Sequence, residues 1–275
     1  MNKKKLFIIL SVVVALIIAG VITTIIIINN KENDDLSSKT SIKSDTKVLD
    51  LIKETAPENW QFEKEKVNID KNGEVSIIYN SISDWMMCTY HTKNHIINIS
   101  NKNSNELDGI KSITFICRSN NSETKVKYSN IESINSLNFE SHAEYFDNDG
   151  NKIETSFENA FKNAATAYSY KEIFRNPSEY IEKKIKLTGK VVQVMEETED
   201  GIEYWVLRVD MTKDKWGYYD DTVMILLPKS SFKGRIIEDD VITFYGLCYD
   251  TYTYETVLGA SQTIPFILGI FAELS

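Results

Sequence analysis

The stretch that decides the fold is Lys184-Ile185-Lys186-Leu187-Thr188-Gly189-Lys190-Val191-Val192-Gln193-Val194. Apolar and polar side chains alternate along it, which is the pattern of a β-strand with one buried face. A glycine interrupts the alternation, and a strand can bend sharply or bulge at such a position. The stretch therefore predicts a long strand that bends at Gly189.

Four further strands are predicted after the first one. They run from Ile202 to Val209, Thr222 to Leu227, Asp240 to Tyr249 and Ile264 to Leu274. Five strands, the first of them long and bent, favour a small Greek-key barrel of the OB type, and Gly246 is placed to bend the fourth strand in the same way.

The composition of the chain changes several times before this barrel. The predicted organisation is a cytoplasmic tail at 1–5, a transmembrane signal anchor at 6–28, a flexible stalk at 29–46, an α+β domain at 47–155, a connecting helical segment at 156–183 and the OB-like barrel at 184–275. The predicted fold class is thus α+β, with an N-terminal transmembrane helix, a small α+β domain and a C-terminal five-stranded OB-like β-barrel.

An apolar run from Leu6 to Ile28 follows Lys3, Lys4 and Lys5. No charge interrupts the run, and it is long enough to cross the roughly 30 Å hydrocarbon core of a bilayer as a helix. A cleavable signal has a shorter apolar core and small residues at its exit, whereas this run ends in four isoleucines. Because the lysines favour a cytoplasmic N-terminus, we expect a single-pass protein of the cell membrane whose C-terminal region is extracellular. A cleaved signal peptide is the alternative.

Turn signals and alternation predict strands in the α+β domain. Asp70-Lys71-Asn72-Gly73 separates two alternating stretches, 60–69 and 74–79, which is a β-hairpin signal. A second strand pair is predicted at 111–118 and 125–128, with Asn120-Asn121 at its turn.

Three other segments of this region carry weaker patterns. Apolar residues at helical spacing begin at Val48. The segment 83–99 fits either a helix or an irregular strand, and apolar and polar residues alternate along the segment 139–146. The cluster Asp147-Asn148-Asp149-Gly150-Asn151 places its glycine at position four, whereas a calcium-binding EF-hand loop needs it at position six. We therefore predict a tight turn there and no metal site.

The C-terminal part also resembles a known group of proteins. The residues that carry the resemblance are Tyr170–Pro177 with Tyr180, Lys186–Val191, and Ile237–Gly246. They resemble the OB-fold-like module of exported and membrane-anchored proteins of Gram-positive bacteria. The resemblance covers about residues 168–275 and implies an OB-like barrel at the cell envelope, with no assigned activity.

OB barrels bind ligands along strands two and three, between the loops that join strands one to two and four to five. The aromatic residues predicted at this ligand-binding face are Tyr204, Trp205, Trp216, Tyr218, Tyr219, Tyr252 and Tyr254. Residues 168–275 hold 12 Lys and Arg against 18 Asp and Glu, a net charge of −6. Since proteins that bind single-stranded nucleic acid use a positive groove, this charge argues against nucleic acid. The partners expected are the cell membrane, through the N-terminal helix, and an envelope protein, a peptide or a glycan.

The sequence holds few groups with recognisable chemistry. Cys88, Cys117 and Cys248 have no zinc-site spacing; Cys88 and Cys117 could form a disulfide, although three buried thiols are the favoured interpretation. His91 and His95 would share one face of a helix and could ligate a metal, although two exposed polar histidines are favoured. No nucleophile elbow or phosphate-binding loop occurs. The sequence predicts no catalytic residue, cofactor or metal.

We therefore expect a membrane-anchored extracytoplasmic binding or recognition protein of the bacterial cell envelope, with an unknown ligand. One alternative is an envelope hydrolase or metal-dependent enzyme that uses the region of His91 and His95. The other is a non-catalytic regulatory or structural partner of another membrane protein.

Overall fold

The computed structural model of the chain describes residues 45–56, 67–80, 84–102, 107–119, 122–199, 202–255 and 259–275. Contacts along the chain separate two compact units: the N-terminal unit ends at Phe157, and the C-terminal unit comprises Glu158–Ser275. No helix among the described residues is both long and apolar enough to cross a membrane. The predicted transmembrane anchor at 6–28 and most of the predicted stalk at 29–46 lie outside them.

The described residues of the N-terminal unit form a six-stranded sheet and two α-helices. Its elements are α1 (Asp45–Thr55), β1 (Val67–Ile69), β2 (Glu74–Asn80), α2 (Trp85–Asn101), β3 (Ser112–Ser119), β4 (Ser122–Ser129), β5 (Ala143–Phe146) and β6 (Lys152–Ile153). The strands follow one another in the sheet in chain order. Only β2 and β3 are parallel, because α2 connects them, and the other neighbours are antiparallel.

Two predictions for this unit are confirmed, and the structure gives the secondary structure of two segments whose sequence patterns were weak. The hairpin around Asp70–Gly73 and the β3–β4 pair form as expected, although the predicted turn at 120–121 lies outside the described residues. The described part of the ambiguous segment is helical from Trp85 onwards, and Asp84 caps α2 by accepting the backbone N–H of Met87 at 2.8 Å. Only the second half of 139–146 is a strand, because Phe139–His142 forms a 3₁₀ turn.

Cys88 on α2 and Cys117 on β3 form a disulfide. The favoured interpretation of three free thiols is therefore wrong for this pair. The third thiol, Cys248, is buried in the barrel, where burial raises its pKa to about 11. The disulfide thus links α2 covalently to β3 of the sheet.

The C-terminal part begins with two short helices and continues as long strands. Its elements are α3 (Phe157–Ala164), β7 (Thr166–Ala167), α4 (Tyr170–Arg175), β8 (Lys184–Glu199), β9 (Ile202–Lys213), β10 (Tyr219–Pro228), β11 (Val241–Glu255) and β12 (Ser261–Leu274). α4 begins with a capping box in which Ser169 and Glu172 each bind the other's backbone N–H.

Strands β8 to β12 close into a barrel. Their order is β8–β9–β10–β12–β11, and β11 pairs back onto β8. β10 and β12 are parallel, and every other pair in the barrel is antiparallel. A closed five-stranded barrel with this Greek-key order is an OB barrel. The predicted OB-like barrel and the α+β class are confirmed, and each strand is longer than predicted.

Gly189 and Gly246 stand where two strands approach closely. A Cβ atom on Gly246 would lie 2.3 Å from the carbonyl oxygen of Leu268, and one on Gly189 would lie 2.6 Å from that of Asp210. The pairing of β11 with β12 shifts register between Tyr245 and Gly246, as expected for a bend at this glycine. In β8 the shift falls between Val191 and Gln193 instead.

Alternate residues of the strands fill the barrel. The interior residues of β9 and β10 are Trp205, Leu207, Val209, Val223, Ile225 and Leu227. Arg208 and Met224 alternate with them and are directly paired, so they lie on the outer face of the same two strands.

Candidate functional site

The loop between β9 and β10 is a type of turn that occurs three times among the residues the structure describes. Asp214 Oδ1 accepts the backbone N–H groups of Trp216 and Tyr218, both at 2.8 Å, and Gly217 has a φ of 91°. The turns at Asp70 and Asp147 have the same bonds, with N–H groups two and four residues on bound to the carboxylate. In each, a glycine at the fourth position has positive φ, a conformation that only glycine adopts at low cost.

Two of these turns have almost the same sequence. Asp70-Lys71-Asn72-Gly73-Glu74 and Asp214-Lys215-Trp216-Gly217-Tyr218 differ only at the third and fifth positions. The turn at Asp70 forms with asparagine and glutamate at these positions, so its geometry requires no aromatic ring. Trp216 and Tyr218 are therefore not explained by the local fold.

Both rings are open to solvent. Trp216 is 74% exposed and Tyr218 is 75% exposed. Large aromatic side chains exposed side by side are uncommon on a monomer and often mark a binding surface. We call Trp216, Tyr218, Tyr219 and the lysines beside them the aromatic turn.

Lysines accompany the rings of the aromatic turn. The ammonium group of Lys215 lies 5.0 Å from the Trp216 ring centroid. Those of Lys213 and Lys190 lie 5.4 and 5.9 Å from the Tyr219 ring centroid. Lys190 also forms a 2.7 Å ion pair with Asp239, which raises the pKa of the lysine. The turn thus presents flat rings with cations at their faces, an arrangement that can hold both a planar group and an anion.

The other predicted ligand-binding residues are not on this surface. Trp205 points into the barrel, is 3% exposed, and packs edge-to-face on Phe232. Tyr252 is 4% exposed, while Tyr204 and Tyr254 are half-buried. Substitution of Trp205 or Tyr252 therefore perturbs the fold, and neither is a test of a binding surface.

The outer face of β9 and β10 is largely covered. Val206 and Met224 lie on it and are buried, as is Phe266 on the outer face of β12. The part of this face around Val206, Met224 and Phe266 is therefore closed, whereas Arg208 on the same face is only half-buried and the aromatic turn at its end is exposed.

The region of His91 and His95 does not form the metal site considered from the sequence. The His95 side chain is fully buried, its Nε2 donates to the Ile52 carbonyl oxygen at 2.9 Å, and its Nδ1 accepts from the Tyr79 hydroxyl. Both ring nitrogens are used, so His95 has none left for a metal, and the expectation of two exposed histidines is wrong. Within the described ranges no group of three or more His, Cys, Asp or Glu side chains could hold a metal ion.

The sequence interpretation missed the residues that support the aromatic rings. Asp214 positions the turn, and Lys213 and Lys215 flank the rings. The signal was present in the sequence, because Asp-Lys-x-Gly occurs at 70–73 and again at 214–217. Arg208 of β9 was also missed, and no pattern in the sequence marks it.

No family model matches the chain, and no curated protein matches it. Similar solved structures include the second single-stranded DNA-binding protein of Mycobacterium smegmatis, at 10% identity and a TM-score of 0.24, over 34% of this chain and 84% of the other. A small single-stranded DNA-binding protein of Streptomyces coelicolor matches at 15% identity and a TM-score of 0.27, over 34% and 94%. The mitochondrial single-stranded DNA-binding protein Rim1 of S. cerevisiae matches at 12% identity and a TM-score of 0.24, over 34% of this chain and 94% of the other.

These comparisons correct one expectation. The prediction that nucleic acid is an unlikely partner is contradicted, because all three matched proteins are described as binding single-stranded DNA. TM-scores of this size describe a partial likeness, so the ligand of this chain has to be argued from its own residues.

Proposed function

We propose that this chain is a membrane-anchored extracytoplasmic binding protein whose barrel binds single-stranded nucleic acid at the aromatic turn. The observation that carries the proposal is the exposure of Trp216 and Tyr218 on a turn that the same chain builds without aromatic rings at Asp70.

The chemistry of the turn matches such a ligand. Bases stack on aromatic side chains, and each stacked base contributes about 1–3 kcal/mol. Lys213 and Lys215 stand beside the rings, where their ammonium groups can bind the phosphates between stacked bases. Because the barrel region as a whole is acidic, only a few phosphates are neutralised, and the affinity depends only weakly on salt.

The apolar run and the cysteines support the proposed location. Lys3–Lys5 and the charge-free run to Ile28 support a single-pass anchor with the rest of the chain outside. The Cys88–Cys117 disulfide supports the same location, because structural disulfides persist in oxidising compartments. Digestion of intact cells with a protease tests it: degradation of the C-terminal unit without cell lysis is expected, and degradation only after lysis contradicts it.

Binding is tested with the full-length chain in detergent and a fluorescent oligothymidylate, followed by anisotropy. The double variant Trp216→Asn, Tyr218→Glu gives the aromatic turn the sequence that already folds at 70–74. With two bases unstacked, we expect the affinity to fall at least about 30-fold.

Ile237→Asn is the control, since it removes another exposed apolar side chain of the same unit. We expect the control to bind like the wild type. Absence of saturable binding to the wild type, or equal affinity of the double variant and the wild type, contradicts the proposal.

A further inference from the structure

The last residues of β11, around Tyr254, lie over the outer face of β9. Tyr254 pairs with Gln262 of β12, β12 pairs with β10 through Phe266 and Met224, and β10 pairs with β9. Tyr254 is thus three strands away from β9, which is about 14 Å across a flat sheet at about 4.8 Å per strand. In addition, its partner Gln262 is four residues away along β12 from Phe266, where β12 pairs with β10. Nevertheless, the Arg208 guanidinium lies 5.2 Å from the Tyr254 ring centroid. The hairpin must therefore curl over β10, which agrees with the burial of Met224 and Phe266.

The guanidinium under this hairpin lacks the partners that a half-buried cation normally has. Arg208 Nε is buried without a hydrogen-bond partner. Within the described part of the chain, its one hydrogen bond is a long one, from NH1 to Gln193 Oε1 at 3.4 Å. No carboxylate of the described residues forms an ion pair with it. An unsatisfied buried donor costs about 1–3 kcal/mol, and more when it is charged.

A second polar atom on the same face has no partner either. The Tyr252 hydroxyl is buried and unbonded, and its ring is stacked on Tyr254, with an angle of 18° between the planes and 6.1 Å between the centroids. Tyr252 and Tyr254 alternate along β11, so they extend from the same side of the strand that covers Arg208.

We infer that Arg208 forms a phosphate-binding subsite between β9 and the β11–β12 hairpin. A guanidinium presents parallel N–H groups that match two oxygens of one phosphate. The Gln193 amide and the Tyr254 ring hold it in place from either side. The inference rests on the proposed function, because the phosphate would belong to the nucleic-acid strand that stacks on the aromatic turn. Lys213 stands five positions after Arg208 on β9, about 17 Å along the strand, and a strand of a few nucleotides can cover this distance.

The test compares three single variants of the full-length chain in their binding to oligothymidylate at several salt concentrations. Arg208→Gln removes the charge, and Arg208→Lys keeps the charge without the paired donors. Arg235→Gln is the control, since it removes one charge from a highly exposed arginine of the same unit. We expect Arg208→Gln to weaken binding about tenfold and to reduce the slope of log K against log salt by about 0.7. Arg208→Lys should weaken binding about threefold, and the control less than twofold.

The outcomes separate this inference from the proposed function. If binding depends on Trp216 and the Arg208 variants behave like the Arg235 control, the subsite is refuted and the proposed function stands. If the wild type binds no oligothymidylate but binds pyrophosphate, and Arg208→Gln abolishes that binding, the subsite stands and the ligand is a free phosphate compound. If the wild type binds neither oligothymidylate nor pyrophosphate, both the subsite and the proposed function are refuted. Should Arg208→Gln fail to fold, Arg208→Lys decides the question, because equal affinity of this variant and the wild type refutes the subsite.

Discussion

Asp214 accepts the backbone N–H of Trp216 at 2.8 Å, so one carboxylate fixes the position of the exposed indole. Asp214→Ala removes this bond and the matching one from Tyr218. We expect it to weaken oligothymidylate binding about three- to tenfold, because the rings must then be ordered when the ligand binds. Asp70→Ala breaks the same two bonds in the N-terminal unit, and its affinity should equal that of the wild type. Equal losses in both variants would mean that the effect is not local to the aromatic turn.

Trp205 and Trp216 should respond in opposite ways to truncation. Trp205 lies inside the barrel, so Trp205→Ala should lower the free energy of unfolding by about 3–5 kcal/mol. Trp216→Ala changes an exposed side chain and should lower it by no more than about 0.5 kcal/mol. Urea unfolding followed by circular dichroism measures both values. A stable Trp205→Ala protein would contradict the interior position of this ring.

The disulfide predicts a definite thiol count. The chain has three cysteines, so thiol titration of the unfolded, unreduced protein should give one thiol and that of the reduced protein three. Reduction should destabilise the N-terminal unit by about 3–4 kcal/mol, because the bond closes a loop with a sequence separation of 29. Three thiols before reduction would show that Cys88 and Cys117 are not joined.

His95 should make the stability of the N-terminal unit depend on pH. Burial lowers its pKa to about 4 in the folded chain, against 6.5 for the ordinary group. The unfolded state therefore takes up a proton first as the pH falls, so the stabilisation is complete above pH 6.5 and is lost between 6.5 and 4. The loss amounts to about 3 kcal/mol.

His95→Gln tests this dependence by urea unfolding at several pH values between 7 and 4. The variant should be less stable at pH 7 and should lose less stability on acidification than the wild type. His91, whose pKa burial also lowers to about 4, keeps its own contribution in both proteins. Parallel stability curves for the two proteins would show that His95 does not titrate in this range.

The barrel could be predicted from the sequence because its signals are local. The alternation around Gly189 and the spacing of the later strands reflect which side chains face the interior. The closure of β11 onto β8 and the curl of the β11–β12 hairpin depend on contacts between residues far apart in the chain. For this reason the burial of Tyr252 and the contact of Tyr254 with Arg208 had no sequence signal.

The candidate site shows the same division. The sequence places Trp216 and Tyr218 together with Tyr204 and Trp205 on the ligand-binding face, because all four are aromatic residues of strands two and three or of the segment between them. Trp205 was assigned to the same surface because an aromatic residue on a strand has the same composition signal on either face. A shift of one residue along a strand reverses the side on which a residue lies, and only the observed register settles it.

The position of β12 has a consequence for how the protein is made. This strand comes after all the others in the chain, yet it lies between β10 and β11. Until β12 has been synthesised, β10 and β11 each keep an edge of unpaired backbone groups of the kind that recruits other chains. The barrel therefore cannot close until β12 has been made, and a chain that stalls before β12 leaves both of these edges open to pairing with other chains.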